Sequence, residues 1–273
     1  MKLLTALAQA TKALDEGAIQ APRLTAEVLL AHALRKDRAW LYAHGPDELS
    51  ELGWIHFGRY LHERLKGKPT QYITKRQEFY GRDFFVSPDV LIPRSETEHL
   101  VERAIAERPG RVLDIGAGSG AIAVTLALES ACSAFATDVS APALAVARRN
   151  AADLGARVGF AQCDLGSAFA DCSFDLVVSN PPYVATADMP SLQREVRDWE
   201  PHLALFGGPL GHEIYGRLFA DAWRLLSAGG IVIAELGAGG ADAVTPLLAG
   251  WTNIEVMPDL AGIARVATAR KPH

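Results

Sequence analysis

The most chemically loaded stretch of the chain is VVSNPPYVA, in which Asn180, Pro181, Pro182 and Tyr183 follow an apolar run. The residue before a proline is pushed toward extended geometry, so Asn180 and Pro181 are both held nearly rigid. Asn180 offers a carboxamide oxygen, and Pro181 offers a backbone carbonyl unaccompanied by an N–H. Two fixed acceptors suit a planar NH₂ group, whose delocalised lone pair makes its nitrogen a poor nucleophile. Accepting both N–H bonds steadies that nitrogen and favours the tetrahedral shape in which its lone pair faces an electrophilic methyl carbon. Tyr183 adds a ring that can lie against the planar group. A plain Asn-Pro turn is the bland alternative.

A second constellation is LDIGAGSGAIAV. Gly116, Ala117, Gly118, Ser119 and Gly120 lead into a helix opening at Ala121. Glycines there let the backbone turn sharply and approach a ligand beside a helix N-terminus. Asp138 closes the next strand in ATDVS, 22 residues after Gly116, where a carboxylate can accept from both ribose hydroxyls. A helix N-cap, with Ser140 an equal candidate, is the alternative role. These features suit NAD as well as S-adenosylmethionine, because Gly116, Gly118 and Ala121 also satisfy G-x-G-x-x-G/A. A dehydrogenase is therefore the rival reading. Asp114 lies two residues before the first glycine, a third strand ends in Cys163-Asp164, and a fourth ends in NPPY. A dehydrogenase has no comparable use for the last of these.

The elements that must carry these loops are legible in outline. From Gly110 onward, RVLDIG, SAFATDV, RVGFAQCD, FDLVVSN, GIVIAELG and NIEVMP read as strands. Helices are expected from Ala121, Ala141, Gly211 and Ala241, an alternation that predicts a doubly wound α/β sheet. Ligands bind at the C-terminal ends of such strands, so four loops meet at one crevice. Before residue 76, apolar residues recur at helical spacing in LLTALAQATKAL, RLTAEVLLAHAL and GWIHFGRYLHERL, with Asp47 and Ser50 as starts for the third helix. Between the two, the stretch from Gly67 to Glu98 is rich in Tyr, Phe, Val and Ile and reads as a hairpin-like connector.

Composition bounds the partners. Of 273 residues, 49% are hydrophobic and 22% charged, and no apolar run has the length of a membrane span. The N-terminus is an amphipathic helix rather than a signal peptide, and a cytoplasmic setting is expected. Cys132, Cys163 and Cys172 have no metal-ligand spacing and read as small buried residues in a reducing compartment. The net charge of −5 hides an asymmetry: residues 1–76 hold 12 Lys and Arg against 8 Asp and Glu, the remainder 15 against 24. Total charge is acidic and no dense basic stripe accompanies an aromatic platform, so neither a DNA substrate nor a membrane is expected.

The combination of PTQYITKRQEFYGRDFFVSPDVLIPRSETE, LDIGAGSGAIAV, SNPPY and VRDWEPHLALFGG, followed by Gly211 and Tyr215, resembles the HemK/PrmC family. These are protein-(glutamine-N5) methyltransferases that modify the Gly-Gly-Gln motif of peptide chain release factors. The resemblance implies an α/β fold in three parts. Residues 1–76 form a small helical substrate-docking domain, and 77–92 a β-hairpin-like linker. Residues 93–273 form a Rossmann-like class I methyltransferase domain using S-adenosyl-L-methionine. It further implies that Gly116 to Gly120 wrap the methionine part of that cofactor, that Asp138 holds its ribose, and that Leu165 lies beside its adenine. Asn180, Pro181, Pro182 and Tyr183 would hold the substrate glutamine and carry the catalysis, Asn180 also bordering the cofactor. Arg94, Thr97 and Glu98 would line the cofactor's amino-acid end. Ser95 stands where the family usually has Pro, and Leu210 replaces the acid common after FGG. Glu200 and His202 in WEPHLA invite an acid/base role, but amide methylation as drawn above needs no proton transfer in the transition state.

Overall fold

The structure is a computed structural model that describes residues 1–273. It divides into two compact units, one comprising Met1–Arg76 with Gln193–Trp199, the other Gln77–Leu192 with Glu200–His273.

The first unit is helical. Helix α1 (Leu3–Glu16) buries Leu3, Ala6, Leu7, Ala10 and Leu14, a three-to-four-residue spacing that lays one apolar stripe inward. Helix α2 (Pro22–Leu34) opens with proline in its first turn, where a missing N–H costs nothing. The Asp37 carboxylate caps the short α3 (Arg38–Ala43) by accepting from the Trp40 N–H, and Ser50 caps α4 (Glu51–Leu65) through the Gly53 N–H. Phe57, Leu29, Leu30 and Leu41 meet α1 in a common core. Glu27, itself buried, accepts from Arg23, Arg38 and Tyr42. Arg64, almost fully buried, pairs with Glu195 of the Gln193–Trp199 segment. Residues Thr70–Thr74 form a helix, α5, where the connector reading expected extended chain. Pro69 sets up that turn, and the Tyr72 and Ile73 N–H groups both bond back to its carbonyl.

The hairpin is confined to β1 (Arg76–Phe79) and β2 (Arg82–Phe85). Tyr80 and Gly81 both have positive φ, the two-residue turn whose twist matches the strands it joins. Phe79 and Phe84 pack edge to face and join the core of the second unit with α6 (Thr97–Ala106).

The second unit is built on a seven-stranded sheet. In chain order, β3 (Arg111–Ile115) is followed by α7 (Ala121–Glu129) and β4 (Ser133–Asp138). Next come α8 (Ala141–Leu154), β5 (Val158–Gln162) and β6 (Phe174–Ser179). A two-stranded parallel pair follows, β7 (Val184–Ala185) with β8 (Phe206–Gly208); α9 (Arg194–Trp199), between them in sequence, belongs to the helical unit. The chain ends with α10 (Glu213–Leu225), β9 (Leu226–Glu235), α11 (Ala241–Val244), β10 (Thr252–Pro258) and β11 (Ala264–Arg270). The sheet order is β10-β11-β9-β6-β3-β4-β5. Strands β3, β4, β5, β6 and β9 are parallel, and β11 and β10 complete one edge antiparallel. Apolar cores cover both faces, α10 on one and α6 with α7 on the other. Burial on both faces explains the near-continuous apolar runs of β3, β6 and β9. The chain winds outward from β3 to β5 and returns on β3's other side as β6, so the sheet reverses direction between β3 and β6. No helix is long and apolar enough to cross a membrane. Cys132 and Cys163 are half-buried and Cys172 is exposed, so none has the full burial expected of it.

Candidate active site

The reversal between β3 and β6 brings two loops together. Asp114 on β3 stands opposite Val178 on β6, so the glycine loop and NPPY leave neighbouring parallel strands side by side. A cleft of about 520 Å³ opens there, lined by Gly116, Gly118, Asp138, Leu165, Asn180 and Pro181 among others.

The glycine loop is fastened to β4, since the Gly116 and Ala117 N–H groups both donate to the Thr137 carbonyl, at 2.9 and 2.8 Å. Gly116, Gly118 and Gly120 have φ of +87°, +52° and +82°, a region that L side chains rarely adopt. A Cβ on Gly118 would project into open space, so the loop's outer surface is bare backbone. Gly120 has a different role and does not line the cleft: a Cβ there would meet that of Ala147 on α8 at 3.1 Å. It lets α7 and α8 approach. Asp138 ends β4 with Oδ2 accepting from Gly118 N and Oδ1 from Ser140 N, both at 2.9 Å. Ser140, and not Asp138, caps α8 through the Ala143 N–H. Asp114 is buried beneath the loop; its Oδ2 accepts from Ala123 N and its Oδ1 has no partner. Burial pushes this carboxyl well above its usual range.

On the other side, Asn180 follows β6 with Nδ2 donating to Thr97 Oγ1 at 3.2 Å. Its Oδ1 and the Pro181 carbonyl accept nothing from within the chain. Arg94 and Thr97 line the cleft. Glu98 does not; its carboxylate accepts from the Tyr80 N–H at the hairpin turn. Tyr183 stands one layer behind the cleft, with its ring packed where a Cβ on Gly237 would lie 2.8 Å away. Burial raises its hydroxyl to about 12. Glu200, buried, is a brace: it accepts from Arg94 Nη2 at 2.5 Å and from Ile92 N at 3.3 Å. Those bonds hold the IPR loop at the cleft. Leu165 lines the cleft with positive φ, beside Asp164, which is paired with Arg217 of α10.

Two features escaped the sequence reading. Strand β8 and the loop after it pass the NPPY backbone so closely that a Cβ on Gly207 would run into the Pro182 carbonyl oxygen. One on Gly211 would stand 2.5 Å from that of Tyr183. The other feature is Glu235, the last residue of β9, whose Oε2 accepts from Thr97 Oγ1 at 2.6 Å.

Across 278 aligned residues, the chain is 46% identical to a release factor glutamine methyltransferase of Koribacter versatilis, covering 100% of this chain and 99% of that protein. The chain belongs to the release factor glutamine methyltransferase family. A second member, from Nitratidesulfovibrio vulgaris, is 42% identical over 97% of this chain and 94% of its own length. A profile of the PrmC N-terminal domain matches residues 5–74, and one of the methyltransferase small domain matches residues 95–198. Among solved structures, a methyltransferase from Pyrococcus furiosus superposes with a TM-score of 0.56 at 18% identity, covering 79% of this chain and all of that one. That likeness is one of fold. The family excludes the dehydrogenase reading and makes the protein a methyltransferase.

Proposed function

We propose that the protein transfers the methyl group of S-adenosyl-L-methionine to the side-chain amide nitrogen of glutamine in the Gly-Gly-Gln motif of peptide chain release factors. One observation carries this reading. Asn180 Oδ1 and the Pro181 carbonyl are adjacent, rigidly held acceptors with no partner inside the chain, and their residues line a cleft whose other wall is a bare glycine loop.

The residues present suit the methyl donor. Gly116, Ala117, Gly118 and Ser119 form a side-chain-poor cradle, and Asp138 stands beyond them with a carboxylate for the ribose. Leu165 supplies an apolar surface for the base. When bound, the donor brings an electrophilic methyl group on a sulfonium. Asn180 and Pro181 accept the two N–H bonds of the substrate amide and hold its nitrogen with the lone pair directed across the cleft. No group need remove a proton beforehand, because the methylated nitrogen becomes acidic and releases it to solvent. Pro182 lines the cleft beside Asn180 and Pro181, and Tyr183 fixes the backbone from behind.

A planar NH₂ also occurs on adenine and cytosine. The match of residues 5–74 to a PrmC N-terminal domain favours protein, and we assign the helical unit, residues 1–76, to docking the release factor. The test is intact-mass analysis of a release factor after incubation with enzyme and donor. One added methyl is expected, and it should vanish when the glutamine of the motif is replaced. Label appearing in DNA and not in the factor would overturn the reading.

A further inference from the structure

Three side chains from three separate elements form a single hydrogen-bonded line. Asn180 Nδ2 donates to Thr97 Oγ1 at 3.2 Å, and Thr97 Oγ1 donates to Glu235 Oε2 at 2.6 Å. Glu235 is 1% and Thr97 4% exposed, so the line is closed at its Glu235 end and opens on the cleft through Thr97 and Asn180.

A hydroxyl has one hydrogen to give. An ionised Glu235 accepts only, so Thr97 must direct its hydrogen there. Thr97 can then only accept from Asn180, and an amide can meet an acceptor only with its NH₂ end. The Asn180 oxygen is thereby left for the cleft. A protonated Glu235 reverses the order, because it can donate to Thr97 and release the hydroxyl hydrogen toward Asn180. An amide rotated by half a turn then becomes the better partner. That presents NH₂ to a substrate NH₂, donor against donor. We propose that Glu235, acting through the Thr97 hydroxyl, is the positioning residue that keeps the Asn180 carboxamide oxygen facing the substrate amide. The inference rests on the reading of Asn180 as the substrate's acceptor.

The surroundings put both states of Glu235 within reach near neutrality. Burial raises its carboxyl to about 7, opposed by the Thr97 hydrogen bond and by Arg265 and Arg94, and assisted by Glu96. Arg265 comes from β11 and is itself held by Asp259 at 2.9 Å. Arg94 and Glu96 precede α6, Tyr183 ends NPPY, and the Tyr215 hydroxyl on α10 donates to the main-chain oxygen of Glu235 at 2.7 Å. These are the charged and titratable groups facing it.

The experiment compares wild type with Glu235→Gln, Thr97→Val and Thr97→Ser in the full-length protein. In wild type, kcat for release-factor methylation should fall as pH drops below about 7, with KM nearly constant. Glu235→Gln does not titrate, so its kcat should lose that inflection. Thr97→Val, of the same shape, should lower kcat about tenfold or more, while Thr97→Ser should restore it to within about threefold. The donor's Kd, by calorimetry, should be unchanged in Glu235→Gln. A readout free of activity is the Asn180 side-chain NH₂ resonance, identified by its loss in Asn180→Ala. It should move with pH in wild type and stay fixed in Glu235→Gln. A wild type that shows this titration but methylates no release factor would sink the functional reading and keep the relay. A Glu235→Gln profile superposing on wild type, full kcat in Thr97→Val, or an Asn180 resonance indifferent to pH would overturn it.

Discussion

Gly116 and Asn180 face each other at the point where the sheet reverses: a Cβ built on Gly116 would lie 4.0 Å from the Asn180 main-chain oxygen. The two residues follow directly on the neighbouring strands β3 and β6, whose register fixes them side by side. The glycine loop and NPPY, proposed to hold donor and substrate, are therefore almost in contact. Bringing two reactants together in this way converts a bimolecular encounter into a positioned one.

Asn180→Ala removes one of the two substrate acceptors and leaves the glycine loop intact. We expect kcat to fall on the order of a hundredfold, as for other polar groups aimed at a transition state. Donor affinity should change little. Radiolabel transfer from the donor, measured beside calorimetric titration, separates these effects, and near-normal turnover would refute the clamp.

Asp138→Ala should weaken donor binding by about tenfold or more, since hydrogen bonds to a charged acceptor contribute roughly 1.5–3 kcal/mol. Its carboxylate also organises the site by accepting from Gly118 N and Ser140 N. Asp138→Asn keeps an oxygen for one of those bonds and should lose less. Calorimetry on both variants gives the comparison, and equal affinities in all three proteins would remove Asp138 from the site.

Gly211→Ala places a methyl group 2.5 Å from the Tyr183 carbonyl oxygen at a φ of +84°. Backbone cannot yield as a side-chain tip can, so NPPY must shift. Methyl transfer should drop sharply while donor affinity persists, because none of the glycine loop is touched. Gly216→Ala, where a Cβ meets nothing within 4 Å, is the matched control and should behave as wild type.

The Glu235 carboxyl links stability to pH. Its value of about 7 in the folded protein lies above the ordinary 4.5, so between those limits the folded state holds a proton that the unfolded chain has released. Stability is therefore fully present below about 4.5 and declines as pH rises through about 7. Glu235→Gln should lack this decline. Its advantage over wild type in urea unfolding should grow with pH by up to about 3 kcal/mol and then level off. A difference independent of pH would contradict the buried proton.

Much of this site was legible in the chain, and the reason is covalent proximity. The glycine loop, Asp138 and NPPY each carry their chemistry in a few consecutive residues, and alternating strands and helices predict that they converge. Glu235 carries no such signal. It ends an apolar strand, GIVIAELG, and its partner Thr97 lies 138 residues away. Only the fold makes them neighbours. Glu200 and Tyr183 show the opposite limit: their types suggested direct chemistry, but burial and existing partners give them supporting work. Strand β11 reads ARVATAR, with three alanines and two arginines where strands usually advertise β-branched or aromatic residues. The two- and three-residue strands β7 and β8 are too short for any period to appear.

The membership of Gln193–Trp199 in the helical unit makes the backbone cross between units three times, at 76–77, 192–193 and 199–200. The helical unit is thus not a cassette that one cut or one fusion joint could exchange. A graft of residues 1–76 from a relative would arrive with its own counterpart of Arg64 but inherit this chain's Glu195, so the two segments must change together. Any grafting scheme for new protein substrates has to treat the insertion as part of the graft, only ten residues downstream of Tyr183.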